Sequence, residues 1–302
     1  MSICKPLGNL GDVQCAFDPA SLKRVIFAPL IGSDGSQNVF ASESAVTKSA
    51  LQALFDESNE EDRLYPLPVK GKNIGIEVAD ALIQEYDDGS KNFRKPGRKT
   101  ITSWLVGSHP LLIRQLEAFR GQAVGFYGGD VNGNFWYQSD VAQTGEVQPI
   151  PIDSGSIQTE YIYPKIGEAG YLLVSFEMDD SAISSLFRYI PFANLDFNIN
   201  SPVDVYALRD TKSVYSNEST TEFTADIQTI YNEPVTGLII TDFTLYNNTT
   251  SAAIVITSVT ESADGIYDFV IPAQTSLDNL TLTPVKSKFD FSAVVANTID
   301  IP

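Results

Sequence analysis

Histidine, cysteine, methionine and tryptophan are scarce in this 302-residue chain, which holds one His, two Cys, two Met and two Trp. That scarcity excludes much chemistry. A Ser-His-Asp triad would have to use His109, and nothing marks a serine for it. Cys4 and Cys15, with one distant histidine, make a poor zinc site, and in a reducing compartment they are expected to stay unbonded. No phosphate loop of the G-x-x-x-x-G-K-[ST] type and no G-x-S-x-G elbow is present. Carboxylates are plentiful, so a glycosidase pair stays open. Asp87-Asp88 and Asp179-Asp180, however, fall at expected strand ends, where acids are ordinary. The chain is expected not to be an enzyme and to need neither cofactor nor metal.

Long apolar runs are missing too. Without a stretch of about 18 apolar residues, no membrane-spanning helix is expected. The opening "MSICKPLGNLGDVQC" has no apolar core of a secretion signal, so synthesis in a cytoplasm is the expectation.

Positive charge is unevenly withheld. Residues 1–120 carry 14 Lys/Arg against 15 Asp/Glu, whereas residues 121–302 carry 6 against 23, for a total of −18. So acidic a body repels nucleic acid within a Debye length of roughly 8–10 Å, the opposite of what a DNA-gripping protein needs. The exception is the segment 91–99, where Lys91, Arg94, Lys95, Arg98 and Lys99 stand together. It reads either as a solvated loop or as an arm that docks on an acidic neighbour. These five residues are the candidate subunit contacts.

Hydrophobic residues make up 43% of the chain, enough for a sizeable core and two domains. "KRVIFAPLI" (23–31) predicts a strand, and "SESAVTKSALQALFDES" (42–58) a helix capped by Ser42 or Ser44. Residues 74–106 predict two strands joined by a turn at Asp88-Gly89, with the basic arm on the return. "SHPLLIRQLEAFRG" (108–121) predicts a helix capped by Ser108, with Pro110 in its first turn, Gly121 as its stop and Leu112, Leu116 and Phe119 as its buried stripe. "FYGGDVNGNFWYQ" (126–138) has the oxygens of a calcium loop but not its register. Counted from Asp130, position six is Phe135 and position twelve is Val141, where glycine and glutamate are required. Asn132-Gly133 instead predicts a type I′ hairpin turn. "YLLVSFEM" (171–178) and "SLFRYIPF" (185–192) predict further strands.

From about residue 202 the strands become short and the turns regular. Seven strand-like runs, from "VDVYALRD" to "FDFSAVVA", suit an immunoglobulin-like sandwich. Gly265 and Tyr267 fit a corner in which a tyrosine hydroxyl ties back to the backbone, though the antibody disulfide and core tryptophan are absent.

In order, these parts resemble the tail tube proteins of tailed bacteriophages: a β-rich domain, a long charged hairpin (74–106), a flanking helix (108–121) and an appended acidic domain. Residues 97–138 are also similar to structural proteins of phages and prophages of Bacteroidota-type hosts. The resemblance implies a mainly β fold. A tail-tube-like β-sandwich or barrel with one or two helices would occupy 1–200, and an immunoglobulin-like β-sandwich 202–302. It further implies a virion protein that assembles with itself into rings, commonly hexameric and stacked. Other tail proteins would be its partners, and DNA would pass the lumen without specific binding. A head decoration or connector protein, or a surface adhesion or carbohydrate-binding protein, is the alternative. In the latter Trp104, Phe135, Trp136 and Tyr137 would stack on sugars.

Overall fold

A computed structural model describes residues 22–57, 59–68, 71–80, 82–87, 90–95, 97–106, 111–139, 145–164, 170–182 and 186–302. Cys4, Cys15, Ser108, His109, Pro110 and the Asp88-Gly89 turn lie outside them. The fold is mainly β, and the chain divides into two compact units, Met1–Ala207 and Leu208–Pro302.

The first unit runs β1 (Leu22–Pro29), α1 (Lys48–Phe55), β2 (Tyr65–Pro66), β3 (Gly71–Val78), β4 (Leu82–Glu85), β5 (Lys91–Lys95), β6 (Lys99–Val106), α2 (Leu111–Glu117), β7 (Val124–Asp130), β8 (Phe135–Ser139), β9 (Val147–Gln148), β10 (Ile150–Ile162), β11 (Tyr171–Met178) and β12 (Phe187–Ile190). One sheet is ordered β12-β8-β7-β10-β11-β6-β3, with β1 and β2 branching from β7 and β9 from β8. Strand β10 is 13 residues long and shifts register between Asp153 and Gln158. Its start pairs with β7 and the rest with β11, so the bend carries the sheet around a corner. The sheet curls far enough for Phe176 on β11 to meet Phe27 on β1, with ring centroids 5.2 Å apart.

Strands β1, β7 and β8 are apolar on both sides because both sides are covered. Val25, Phe27 and Phe126 face one core, with Phe176, Leu172, Ile101 and Leu116. Ile26, Ala28 and Tyr127 face the other, with Leu51 and Phe55 of α1 and with Phe197, Ile199, Val205 and Tyr206. The cap of α1 is Thr47, whose hydroxyl accepts from the Ala50 amide, and not Ser42 or Ser44; the latter belong to a short 3-10 turn at Glu43–Ala45. Helix α2 ends at Glu117, short of the expected stop at Gly121. Its stripe still holds, with Leu116 buried, Leu112 partly buried and Phe119 buried in the turn that follows.

The run 203–207 is not a strand. Val205 and Tyr206 are buried in the first unit's core, the Arg24 guanidinium donates to the Val205 carbonyl (2.9 Å), and the Tyr206 hydroxyl donates to Asp56 (2.8 Å).

The second unit is a two-sheet sandwich. It runs β13 (Arg209–Ser216), β14 (Glu222–Thr229), β15 (Phe243–Asn247), β16 (Ala252–Ile254), β17 (Ser258–Ala263), β18 (Ile266–Val270), β19 (Asn279–Pro284), β20 (Phe289–Asp290), α3 (Ser292–Ala296) and β21 (Thr298–Asp300). The sheets are β17-β18-β14-β13-β20 and β16-β15-β19-β21. Their alternating inner residues, among them Phe223, Phe269, Phe243 and Leu282, make one core. "FDFSAVVA" is therefore not the expected last strand: it is a two-residue bridge and a short helix that buries Val294. A short apolar run of this kind reads equally as helix or strand.

The tyrosine corner is present. The buried Tyr267 hydroxyl donates to the Val235 carbonyl (2.7 Å) and accepts from the Leu238 amide (3.1 Å), and burial pushes its pKa up to about 12. Beside it, Glu261 accepts from the amides of Gly237 (3.0 Å) and Gly265 (3.1 Å). Desolvation alone would raise the Glu261 carboxyl; the two amides, with the Tyr267 hydroxyl and the charge of Lys286, outweigh it and hold the group below its usual value.

Tyr267→Phe strands a buried amide and carbonyl and should cost roughly 1–3 kcal/mol, read as a lower denaturant midpoint for this unit. Because its folded pKa is depressed, Glu261 adds stability above the ordinary carboxylate range near 4.3 and loses it as pH falls through that range. Glu261→Gln should therefore flatten the acid side of the stability profile; an unchanged slope would refute the assignment.

Candidate functional site

The turn that resembled a calcium loop is built on one buried aspartate. The Asp130 carboxylate accepts from the Asn132 amide (2.8 Å), the Asn134 amide (2.9 Å), the Asn134 side chain (2.7 Å) and the Trp136 indole (3.1 Å). Four donors fill the four lone-pair sites of a carboxylate. Among the described residues no three His, Cys, Asp or Glu side chains are placed to hold a metal ion. The hairpin itself differs from the type I′ expectation. Gly133 has φ +86°, but Asn132 is not among the described residues with positive φ. The Gly133 amide bonds the Asp130 carbonyl (3.1 Å), and the Asp130 amide bonds the Asn134 carbonyl (3.2 Å). This is a three-residue loop closed by a left-handed glycine. The aspartate selects it, because its side chain reaches the amides two and four residues on.

Residues 74–106 form four strands where the sequence suggested two. Strands β3 and β6 pair within the main sheet, and β4 and β5 make a separate two-stranded ribbon beyond them. The ladder continues across the joint, where the Ala79 amide bonds the Arg98 carbonyl at 2.9 Å. A Cβ at Gly97 would lie 1.6 Å from the Ala79 carbonyl oxygen, so the two legs pass there only with glycine. Every described side chain from 77 to 80, 83 to 87 and 90 to 92 is exposed. Val78, at the base, and Ile83 and Tyr86, on the ribbon, are 61%, 53% and 42% exposed.

The five basic candidates separate into two groups. Lys91 is on the ribbon and pairs across it with Glu85 at 3.7 Å, both well exposed. Arg94 and Lys95 also lie on β5, with side chains outside the described residues. Arg98 and Lys99 lie at the base and face their own chain. Arg98 bonds Glu177 and is 3.8 Å from Asp153, and Lys99 places its ammonium 5.3 Å over the Phe187 ring. Burial pulls the Lys99 ammonium below its usual pKa. Sequence spacing did not reveal the opposite charge of the outgoing leg. Glu77, Asp80, Glu85 and Asp87 run up it, so the arm has an acidic leg and a basic leg.

Of the four aromatics considered for sugar stacking, Phe135, Trp136 and Tyr137 are buried. Trp104 alone is exposed, at 38%, and it stacks on Tyr171 with centroids 4.8 Å apart and planes 10° apart.

No family model and no curated protein matches the chain. Among solved structures it has a likeness to that of FdeC, described as a novel broadly conserved Escherichia coli adhesin. The match has 10% identity, covers 81% of this chain and 70% of that one, and has a TM-score of 0.24. A score that low establishes neither a shared fold nor a shared role.

Asp130→Ala should cost about 3 kcal/mol, because it leaves buried donors unpaired. Added calcium should leave Tm unchanged; a calcium-dependent rise would restore the metal reading.

Proposed function

We propose that this chain is a structural subunit that assembles with copies of itself, of the kind that forms the tail tube of a bacteriophage. The observation that carries the proposal is the β4–β5 arm: a separate two-stranded ribbon that exposes apolar side chains and carries acids on one leg and bases on the other. A free ribbon of two short strands is marginal in water. Its exposed Lys91–Glu85 pair adds little. A segment that gives so little to its own chain's stability is suited to binding a neighbour.

The acidic bulk of residues 121–302 complements the basic leg and would repel a nucleic acid passing alongside. Strand β12 ends one side of the sheet among the described residues and offers strand pairing between subunits. In this reading the first unit is tail-tube-like, and copies close head to tail into rings, commonly hexameric in that family, which stack. The second unit is an appended immunoglobulin-like domain, supported by its two sheets and its tyrosine corner. The particle would be a virion tail assembled in a host cytoplasm, with other tail proteins as partners.

Negative-stain microscopy across a concentration series tests this, with hollow tubes or stacked rings of uniform width as the expected result. Reversing Lys91, Arg94 and Lys95 together to Glu should abolish the particles with Tm unchanged. Arg98 stays native because its partners Glu177 and Asp153 would then repel it and unsettle the sheet. Particles that survive the triple reversal would refute docking by the arm. A persistent monomer of the native chain would refute assembly.

A further inference from the structure

One reactive dipeptide sits in the loop between β7 and β8. Asn132-Gly133 is the only Asn-Gly pair in the chain. An asparagine followed by glycine is especially prone to lose its side-chain amide, because the glycine nitrogen is uncrowded. Asn132 is exposed and borders an open hollow of about 180 Å³, so water reaches it. The fold does not let the glycine be exchanged for a bulkier residue that would slow this chemistry. Gly133 is buried with φ +86°, and a Cβ there would lie 3.0 Å from the Phe192 ring.

The backbone around the pair is held on every side. The Asp130 carboxylate accepts from the amides of Asn132 (2.8 Å) and Asn134 (2.9 Å). The Gly133 amide, whose nitrogen would react, donates to the Asp130 carbonyl (3.1 Å). The Asn200 side chain donates to the same carbonyl (2.7 Å), and the Phe192 amide donates to the Asn134 side chain (3.0 Å). The amides of 132, 133 and 134 are thus all engaged, which fixes the torsions on both sides of Asn132.

We infer that Asn132 is a site of spontaneous deamidation that the Asp130 clamp holds closed, and that conversion to isoaspartate keeps the clamp from re-forming. In the reaction the Gly133 nitrogen loses its proton and attacks Asn132 Cγ. The Cγ–Nδ2 bond breaks, and the amide nitrogen takes up a proton and leaves as ammonia. A five-membered succinimide remains. Water opens it at Cγ to give aspartate, or at the main-chain carbonyl to give isoaspartate. Water is the only other reactant, and nothing is oxidised or reduced. The closed loop blocks the first step. The Gly133 amide must leave the Asp130 carbonyl, and the chain must turn at Asn132 to bring that nitrogen onto Cγ. The rate in the folded protein is therefore the rate in the free chain multiplied by the fraction of molecules whose loop is open. Isoaspartate carries the main chain through its side chain and lengthens it by one carbon. The bond from the Asp130 amide to the Asn134 carbonyl (3.2 Å) sets the span of a three-residue loop, and a longer one no longer brings both amides to the carboxylate. Buried Asp130 then loses donors that offset its burial.

The test incubates the native full-length chain beside the same chain in guanidinium chloride. Peptide mapping by mass spectrometry follows deamidation at residue 132. The folded chain should react about tenfold more slowly or slower still. Phe192→Ala uncovers Gly133 and leaves the four donors of Asp130 in place. It should speed the native-state reaction several-fold with circular dichroism unchanged. Chains carrying isoaspartate at 132, separated by ion exchange, should have a lower Tm than unconverted ones. Asn132→Ser should show no drift of Tm on incubation. Equal rates in the folded and unfolded chain, or no acceleration in Phe192→Ala, would overturn the clamp as guard. An isoaspartate form with native Tm would overturn the loss of the clamp. No conversion even in denaturant would overturn the site itself.

Discussion

The first unit depends on a strand pair with no outer side. Strands β1 and β7 send alternate residues into two separate cores, Val25, Phe27 and Phe126 to one and Ile26, Ala28 and Tyr127 to the other. Each such side chain contributes roughly 1.5–3 kcal/mol when taken fully from water, so neither face can be left open. One face is closed by the sheet's own curl and α2. The other is closed by α1 and by the run from Phe197 to Tyr206. This is why the chain returns across the sheet before the second unit starts. Double burial also makes every polar group on the pair costly. The Arg24 guanidinium is buried, bonds the Val205 carbonyl, and has its pKa lowered by burial to about 10, so it still carries its charge at neutral pH. Asp130 meets the same constraint with four donors.

What could be read from the sequence follows from which forces are local. The β1 and β11 strands were legible because their apolar pattern is set by burial alone. The hairpin at 130–134 was legible as a turn, but its type was not. Asn-Gly is a strong local signal, yet the competing one is the aspartate two residues earlier. Its value shows only when Trp136, six residues on, brings the indole back. Tyr267 was legible because the corner is a short motif. Strand β10 was not: Pro151, Ser154, Gly155 and Ser156 interrupt any strand pattern, and only pairing with two different partners makes them one bent strand. The return at 203–207 was likewise invisible, since Val205 and Tyr206 look like a strand until the core they enter is known.

The candidate site was half legible. Five basic residues within 91–99 stand out on an acidic chain, and the structure puts Lys91, Arg94 and Lys95 on a ribbon. Spacing could not separate them from Arg98 and Lys99, which answer to Glu177, Asp153 and Phe187. Those partners lie far along the chain, so only the fold brings them close. Trp104 presents the same limit. Its sequence context resembles that of Trp136, and the difference between an exposed and a buried indole is set by which side of a two-sided sheet each one takes.

The two-signed charge of the arm makes sense because of what the arm would cost without it. An exposed ribbon with apolar side chains is an aggregation hazard unless a specific partner competes with non-specific ones. Charges of opposite sign on its legs restrict the surfaces it can approach, since a uniformly acidic surface repels one leg whenever it attracts the other. On a chain with a net charge of −18, general attraction between copies is unavailable. A contact must then be local and close to neutral over its width, and the arm, with acids along one leg and bases along the other, is a surface that meets both conditions.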